Sequence, residues 1–272
     1  MCNFKRPLNF SKHGKCLSSF NRYSMKNSAM TVVFFDAAGT LFNVKGSVGD
    51  IYLRYAKPYG VPTTPEKVQA VNQAFAEAFQ KAPPPIFSVT SPEKLKQCER
   101  LWWFDLVHAV FYRVGMFEGF DDFFEEVYQA FSQKESWVLY PDTIPALQQL
   151  KEAGYELGII SNFDTRLFSI LRELGLQTLF DSITISSLAG VAKPGPGIFS
   201  YALAQHAVNP EEAIHVGDSV RDDVQGALNA RLQGVLLDRQ GEQRNALYST
   251  IQTLDDLTRV LECDGFSAGT NR

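Results

Sequence analysis

Cysteine is scarce and unpatterned in this chain. The four residues Cys2, Cys16, Cys98 and Cys263 form no CxxC pair. That excludes a disulfide scaffold, offers no zinc site, and points to a reducing compartment, the cytoplasm. Long apolar runs are missing as well. The best segment, LWWFDLVHAVF at 101–111, is broken by Asp105 and His108, and falls short of the roughly 20 apolar residues that a membrane helix needs. There is no internal repeat and no low-complexity tract. Acidic residues are absent from 1–29, which carries Lys5, Arg6, Lys12, Lys15, Arg22 and Lys26. With those six set aside, 20 of the 26 bases face all 30 acids over the remainder. A body so acidic excludes nucleic acid and an anionic membrane surface as partners. An anionic substrate would have to be held by local groups together with a cation. The first stretch is basic, acid-poor and serine-containing, as transit peptides are, and it lacks the apolar segment of a secretory signal. The alternative is an upstream extension, with Met25 or Met30 as an internal start. On either reading 1–29 is expected to be a disordered basic extension outside the fold. An organelle is the alternative location if it is a transit peptide.

What remains is ordinary globular material, 45% apolar and 21% charged over 272 residues. Short apolar runs rich in β-branched residues recur: TVVFFD at 31–36, YELGIIS at 155–161, SITIS at 182–186, AIHVGD at 213–218 and GVLLD at 234–238. Their near-continuous apolarity predicts buried parallel strands. Helical spacing fills the gaps, as in DTIPALQQLKEAG at 142–154, RLFSILRELG at 166–175 and the stretch 197–207. Strand alternating with helix predicts an α/β fold, a doubly wound, Rossmann-like parallel sheet with ligands at the carboxyl ends of its strands. Residues 46–138 break that rhythm. They contain no strand pattern, and 66–82, 93–114 and 119–133 read as helices rich in Phe and Trp. The expected organisation is therefore a catalytic core over 30–45 and 139–262, an inserted α-helical cap over 46–138, and a flexible tail over 263–272.

The candidate chemistry sits at the strand ends. The first run ends in Asp36, within DAAGTL, and the second in Ser161-Asn162. VAKPGPGIF places Lys193 in a loop ahead of a helix, and GDSVRDD supplies Asp218, Asp222 and Asp223. Each has a bland alternative: a turn-capping Asp, ordinary strand-end polar residues, a solvated Lys, a helix N-cap. Together, an acid, a hydroxyl, a lysine and an acid pair at successive strand ends resemble the haloacid dehalogenase-like (HAD) hydrolase superfamily over 31–262. The four motifs begin at Asp36, Ser161, Lys193 and Asp218. The helical insertion after the first motif resembles the subfamily capped at that place, and SNFDTRL, KPGPGIF and GDSVRDDVQGA resemble it in detail.

The resemblance implies a Mg²⁺-dependent phosphatase acting on a small phosphorylated metabolite. Asp36 would attack phosphorus and form an aspartyl-phosphate. Asp36, the backbone carbonyl of Ala38, Asp218 and Asp223 would hold Mg²⁺. Lys193 would neutralise the nucleophile and a phosphoryl oxygen, and Ser161 and Asn162 would bind other phosphoryl oxygens. Adjacent helical residues point about 100° apart, so Asp222 and Asp223 cannot share a role. Gly226-Ala227 align Asp223 with the family's acid, with Asp222 the alternative.

One position departs from the pattern. Phosphatases of this superfamily carry a second acid two residues after the nucleophile, and here that residue is Ala38. The missing acid would protonate the leaving alkoxide and activate water, worth about 10²–10⁴ in rate. Three readings follow: a weak or otherwise-assisted phosphatase, a C–P bond hydrolase of the phosphonoacetaldehyde hydrolase type, or a non-catalytic module binding a phosphate ligand or a protein. The second would need a cap lysine for a Schiff base, and Lys45, Lys67 and Lys81 are available. A metal-free dehalogenase fits less well, because Gly217-Asp218 is retained. Tyr52, Tyr55, Trp102, Trp103 and Phe104 are candidates to face the substrate, against the alternative that they form the cap's own core. His108 is a candidate replacement acid against the alternative of a packed His.

Overall fold

The computed structural model describes residues 30–242 and 248–263. The expected disorder of 1–29 and the expected flexibility of 264–272 lie outside the described residues. Strand β1 (Val32–Phe35) turns into the short strand β2 (Phe42–Val44). Four helices follow, α1 (Val48–Ala56), α2 (Pro65–Lys81), α3 (Pro92–Val114) and α4 (Phe120–Ala130). Strand β3 (Trp137–Leu139) then returns antiparallel to β2, with Phe42 opposite Leu139. From there helices and strands alternate: α5 (Thr143–Glu152), β4 (Glu156–Ser161), α6 (Arg166–Glu173), β5 (Ser182–Ile185), the one-turn α7 (Ser186–Ala189), α8 (Pro196–His206) and β6 (Ala213–Gly217). A π-helical turn, Val220–Gln225, runs into α9 (Gly226–Asn229), and β7 (Gln233–Leu237), β8 (Ser249–Ile251) and α10 (Leu257–Cys263) complete the chain. Cys263, expected to open the tail, instead ends α10.

The main sheet has the order β5-β4-β1-β6-β7-β8, and every pairing in it is parallel. This is the doubly wound, Rossmann-like α/β architecture. The chain leaves β1 toward β4 and β5, then crosses to β6 and moves outward to β8. Neighbours β1 and β6 thus send their loops in opposite directions, which opens a crevice at their carboxyl ends. Strand β1 is wholly apolar because both of its faces are covered. Val33 and Phe35 enter one core with Leu147, Leu157 and Ile214, while Val32 and Phe34 enter another with Ile198 and Phe199. That division follows from the two-residue period of a strand.

Helices α1 to α4 pack around a third, separate core containing Tyr52, Val110, Phe111, Phe123 and Phe124. Tyr52 sits at its centre, in ring contact with Phe75, Phe111, Phe123 and Phe131. Helices α2 and α3 start on the same local device. Thr64-Pro65-Glu66-Lys67 and Ser91-Pro92-Glu93-Lys94 each place a hydroxyl N-cap that accepts from the lysine amide, followed by a proline at the first helical position. The expectation that 46–138 holds no strand is corrected at its end. Trp137 and Val138 belong to β3, whose partner β2 lies about 95 residues earlier in the chain. The pair forms a ribbon apart from the main sheet. No described helix is long and apolar enough to cross a membrane.

Candidate active site

Parallel pairing of β1 with both β4 and β6 brings three chain segments to one level. Phe35 lies opposite Ile159 on one side and Val216 on the other, so Asp36 emerges between the ends of both neighbours. Its backbone N–H donates to the Val216 carbonyl at 2.9 Å. Ser161, the last residue of β4, donates from Oγ to Asp36 Oδ1 at 3.0 Å. Lys193, in the loop between α7 and α8, donates from Nζ to the same oxygen at 2.6 Å and to Asp223 Oδ1 at 2.5 Å. The Lys193 side chain is 3% exposed. Its backbone is clamped by Asn162, whose Oδ1 accepts from the Lys193 N–H at 2.8 Å while Nδ2 donates to the Lys193 carbonyl at 2.9 Å. The Asn162 amide thus fixes the lysine in place, while the residue also lines the cavity above.

Asp223 is positioned by the π-helical turn. Its Oδ2 accepts from the Ser219 N–H at 2.9 Å, and its Oδ1 is 2.9 Å from His215 Nε2. Asp218 follows β6 and is the most solvent-accessible member of the group, although its carboxyl is crowded by surrounding protein. One oxygen each of Asp36, Asp218 and Asp223 lies within 4.8 Å of the others. Asp222 stands apart from that cluster, half-buried at the cavity wall with Arg221 4.0 Å away. Between the two acids left open by the sequence, Asp223 is the one gathered with Asp36 and Asp218. Three residues after Asp36, the turn packs against Asp218 so closely that a Cβ on Gly39 would lie 2.3 Å from Asp218 Oδ2. Gly39 also has φ +89°, a conformation that disfavours side-chain-bearing residues.

The electrostatics follow from three carboxylates sharing one ammonium. Burial pushes the Asp36 carboxyl up, against the pull of Lys193. Burial, Asp36 and Asp223 together push Asp218 up to about 7. For Asp223 burial also raises, but Lys193 and His215 outweigh it and hold the group well below the usual carboxylate range. Burial lowers Lys193, yet Asp223 and Asp36 more than reverse that. Burial holds the His215 imidazolium below its ordinary value, and Nδ1 is buried with no partner among the described residues. Three converging oxygen donors with surplus negative charge match a hard cation such as Mg²⁺. The donor set therefore fits the ion.

Above these groups lies a cavity of ≈ 350 Å³ whose floor includes Asp36, Ala38, Ser161 and Lys193. Tyr52, Trp102 and Trp103 of the helical segment line it. Tyr55 and Phe104 are absent from the lining and pack into the helical core. His108 stacks on Phe104 and also lies off the cavity. Lys45, Lys67 and Lys81 are likewise absent from it, and Lys67 Nζ donates to the Val114 carbonyl.

A second ion pair was not assigned a role from the sequence. Asp164, 1% exposed at its side chain, accepts from Arg166 Nε at 2.9 Å and Nη2 at 2.7 Å. Trp103 Nε1 donates to its other face at 2.5 Å. The guanidinium lies 4.2 Å above the Tyr128 ring and 4.8 Å from Trp103. Next to it, buried Glu99 of α3 accepts from the Thr165 N–H at 3.0 Å and its hydroxyl at 2.5 Å. These contacts tie the helical segment to the loop after β4. The stretch SNFDTRL held the signal, because its Asp and Arg are two residues apart at a strand end.

Comparison with known proteins follows from this geometry. A model of haloacid dehalogenase-like hydrolases matches residues 30–231. The chain is 32% identical over 236 residues to haloacid dehalogenase-like hydrolase domain-containing protein 3 of Danio rerio, covering 85% of this chain and 96% of that protein. A glyceraldehyde 3-phosphate phosphatase of Methanopyrus kandleri is 41% identical over 101 residues, 37% of this chain and 43% of that one. The crystal structure of a HAD phosphatase from Thermococcus onnurineus superposes with a TM-score of 0.60 at 25% identity, over 85% of this chain and 98% of that one.

Proposed function

The chain belongs to the haloacid dehalogenase-like hydrolase family, and on that premise we propose that it is a Mg²⁺-dependent phosphatase working through an aspartyl-phosphate on Asp36. One observation carries the reading. Asp36 lines the cavity, and its Oδ1 is occupied by Ser161 and Lys193, whereas Oδ2 accepts no hydrogen bond among the described residues. A carboxylate pinned by one oxygen presents the other in a fixed direction, which is what an in-line nucleophile needs.

Asp36 attacks phosphorus through Oδ2, the P–O bond to the leaving group breaks, and water later releases inorganic phosphate and restores the carboxylate. Lys193 offsets charge on Asp36 and on the arriving phosphoryl group. Ser161 donates its one hydroxyl proton to Asp36 and keeps the nucleophile oriented until a phosphoryl oxygen arrives to take that hydrogen bond. Asn162 holds the Lys193 backbone, and His215 with the Ser219 amide holds Asp223. Asp36, the Ala38 carbonyl, Asp218 and Asp223 would hold Mg²⁺, which when bound supplies positive charge to the phosphoryl oxygens. The phosphatase-named relatives support phosphoryl chemistry. The helical segment acts as the cap, closed over the floor through Trp103 and Glu99.

A second reading, a module that binds a phosphate ligand without turnover, is favoured by Ala38, which lines the floor where an acid would act. The C–P hydrolase reading finds no support, since none of the three lysines considered for a Schiff base lines the cavity. Release of nitrophenol from p-nitrophenyl phosphate, measured with Mg²⁺ and with EDTA, tests the proposal. Mg²⁺-dependent release lost in Asp36→Asn is expected. Binding of inorganic phosphate without any release would favour the second reading.

A further inference from the structure

We infer that this site is built for phosphate esters of apolar aryl alcohols, a substrate class that rests on the phosphatase reading above and narrows it. Two independent features lead there. The first is the wall chemistry. The chain's three tryptophans, Trp102, Trp103 and Trp137, all line the cavity. Each indole N–H is already committed to a protein acceptor: Trp102 to the Pro83 carbonyl at 2.8 Å, Trp103 to Asp164 at 2.5 Å and Trp137 to the Phe131 carbonyl at 3.1 Å. Arg166 is spent in the same way, on Asp164 and the Tyr128 carbonyl. The tryptophans therefore offer a ligand ring carbon. Phe75, Phe131 and Phe163 add more of it.

Apart from Tyr52, Tyr128, Ser219 and Asp222, which also line the cavity, these walls give the hydroxyls of a polyol leaving group little to pair with. Each unpartnered hydroxyl weakens binding by roughly tenfold or more. An aromatic ring would instead meet aromatic faces, with the geometry such pairs prefer. Size agrees. The ≈ 350 Å³ cavity exceeds the roughly 150 Å³ apolar cavity that takes up benzene, and so has room for a phosphoryl group and one or two rings.

The second feature is Ala38 on the cavity floor. With no acid there, the departing oxygen must leave with the P–O electron pair unprotonated and take its proton from solvent. A phenol ionises near pH 10, whereas an alkanol is closer to water at about 15.7. Only the aryloxide is a competent leaving group without help. The same methyl group that removes the acid also puts apolar surface on the otherwise charged floor, so both features select one substrate. Water attack on the aspartyl-phosphate gains nothing from an aryl group. Dephosphorylation of Asp36 then limits turnover, and steady-state rates become independent of the aryl group.

The experiment compares p-nitrophenyl, phenyl and 2-naphthyl phosphates with glycerol 3-phosphate and 2-naphthylmethyl phosphate, in Mg²⁺, by stopped flow and steady state. The expected result has four parts. The aryl esters show a burst of about one equivalent, followed by a common steady rate. Their kcat/KM exceeds that of glycerol 3-phosphate by at least about 100-fold. 2-Naphthylmethyl phosphate, apolar but with an alkoxide leaving group, competes for the site and turns over poorly. Trp102→Ala and Phe75→Ala weaken 2-naphthyl phosphate binding several-fold and leave inorganic phosphate binding unchanged. Turnover of glycerol 3-phosphate within about threefold of the aryl esters overturns the inference while the phosphatase reading stands. No phosphate release from any ester overturns both.

Discussion

Lys193→Met removes, among the described residues, the ammonium that pairs with a group of three carboxylates. The wild-type ammonium contacts Asp36 at 2.6 Å and Asp223 at 2.5 Å, with 3% of the side chain exposed. Two unit charges about 4 Å apart at an effective dielectric near 20 attract by about 4 kcal/mol. Two partners therefore give a gross term of about 8 kcal/mol, against several kcal/mol for desolvating the ammonium. The net loss expected is about 3–5 kcal/mol, as when one partner of a buried pair is removed. For a chain of this size that is on the order of 10 °C in Tm. The pH dependence carries a sign. Asp223 is depressed in the folded wild type, so its contribution is present above the unfolded carboxylate value of about 3.9 and is lost as pH falls through the folded value. In the variant that contribution disappears. Asp36 and Asp218, already raised by burial, rise further, and a raised carboxyl lowers stability once pH exceeds about 3.9. The deficit should be largest near pH 7–8 and shrink toward pH 4.5, and Mg²⁺ should recover part of it at pH 7.5. Urea melts of both proteins followed by circular dichroism across that range supply the measurement. A variant as stable as wild type at pH 7.5, or a deficit that grows toward acid, would refute the charge arrangement described for this floor.

Ala38→Asp should raise turnover of alkyl phosphates by roughly 10²-fold or more while changing p-nitrophenyl phosphate far less, as leaving-group assays at matched Mg²⁺ would record. Gly39→Ala keeps every proposed ligand but drives a Cβ toward Asp218 Oδ2, 2.3 Å away in the present geometry. Its Mg²⁺ affinity by calorimetry should fall by about 10–100-fold. The raised Asp218 carboxyl, near 7, must lose its proton to bind a cation. Titration with Mg²⁺ at pH 6.5 should therefore release protons, and affinity should weaken from pH 8 to pH 5.5.

The parts of the fold that could be read from the chain are those where one local pattern decides. β1, β4, β6 and β7 are buried along most of their length and show as nearly continuous apolar runs, and β5, Ser-Ile-Thr-Ile, shows through its β-branched residues. The edge strand β8, Ser-Thr-Ile, carries little apolar signal and was not read. β2 and β3 were not read either, because each is three residues long and its partner lies far off in sequence. The site divides in the same way. Asp36, Ser161 and Asp218 stand at strand ends, where topology brings them together, and Lys193 reaches them from the loop before α8, held by Asn162. The preference for Asp223 over Asp222 rested on the resemblance through Gly226-Ala227 alone, because the π-helical register that gathers Asp223 with Asp36 and Asp218 leaves no mark in sequence periodicity. The Asp164–Arg166 pair and the seating of Glu99 on Thr165 depend on how α3 docks, a tertiary fact with no local signature.

Acid quench of the wild type during turnover of 2-naphthyl phosphate with Mg²⁺, followed by peptide mass spectrometry, tests the central claim most directly. A phosphoryl group on the peptide containing Asp36, absent from Asp36→Asn and from samples with EDTA, is the predicted result. Release of phosphate with no adduct on Asp36, or an adduct that persists in Asp36→Asn, would contradict the assignment of Asp36 as the nucleophile.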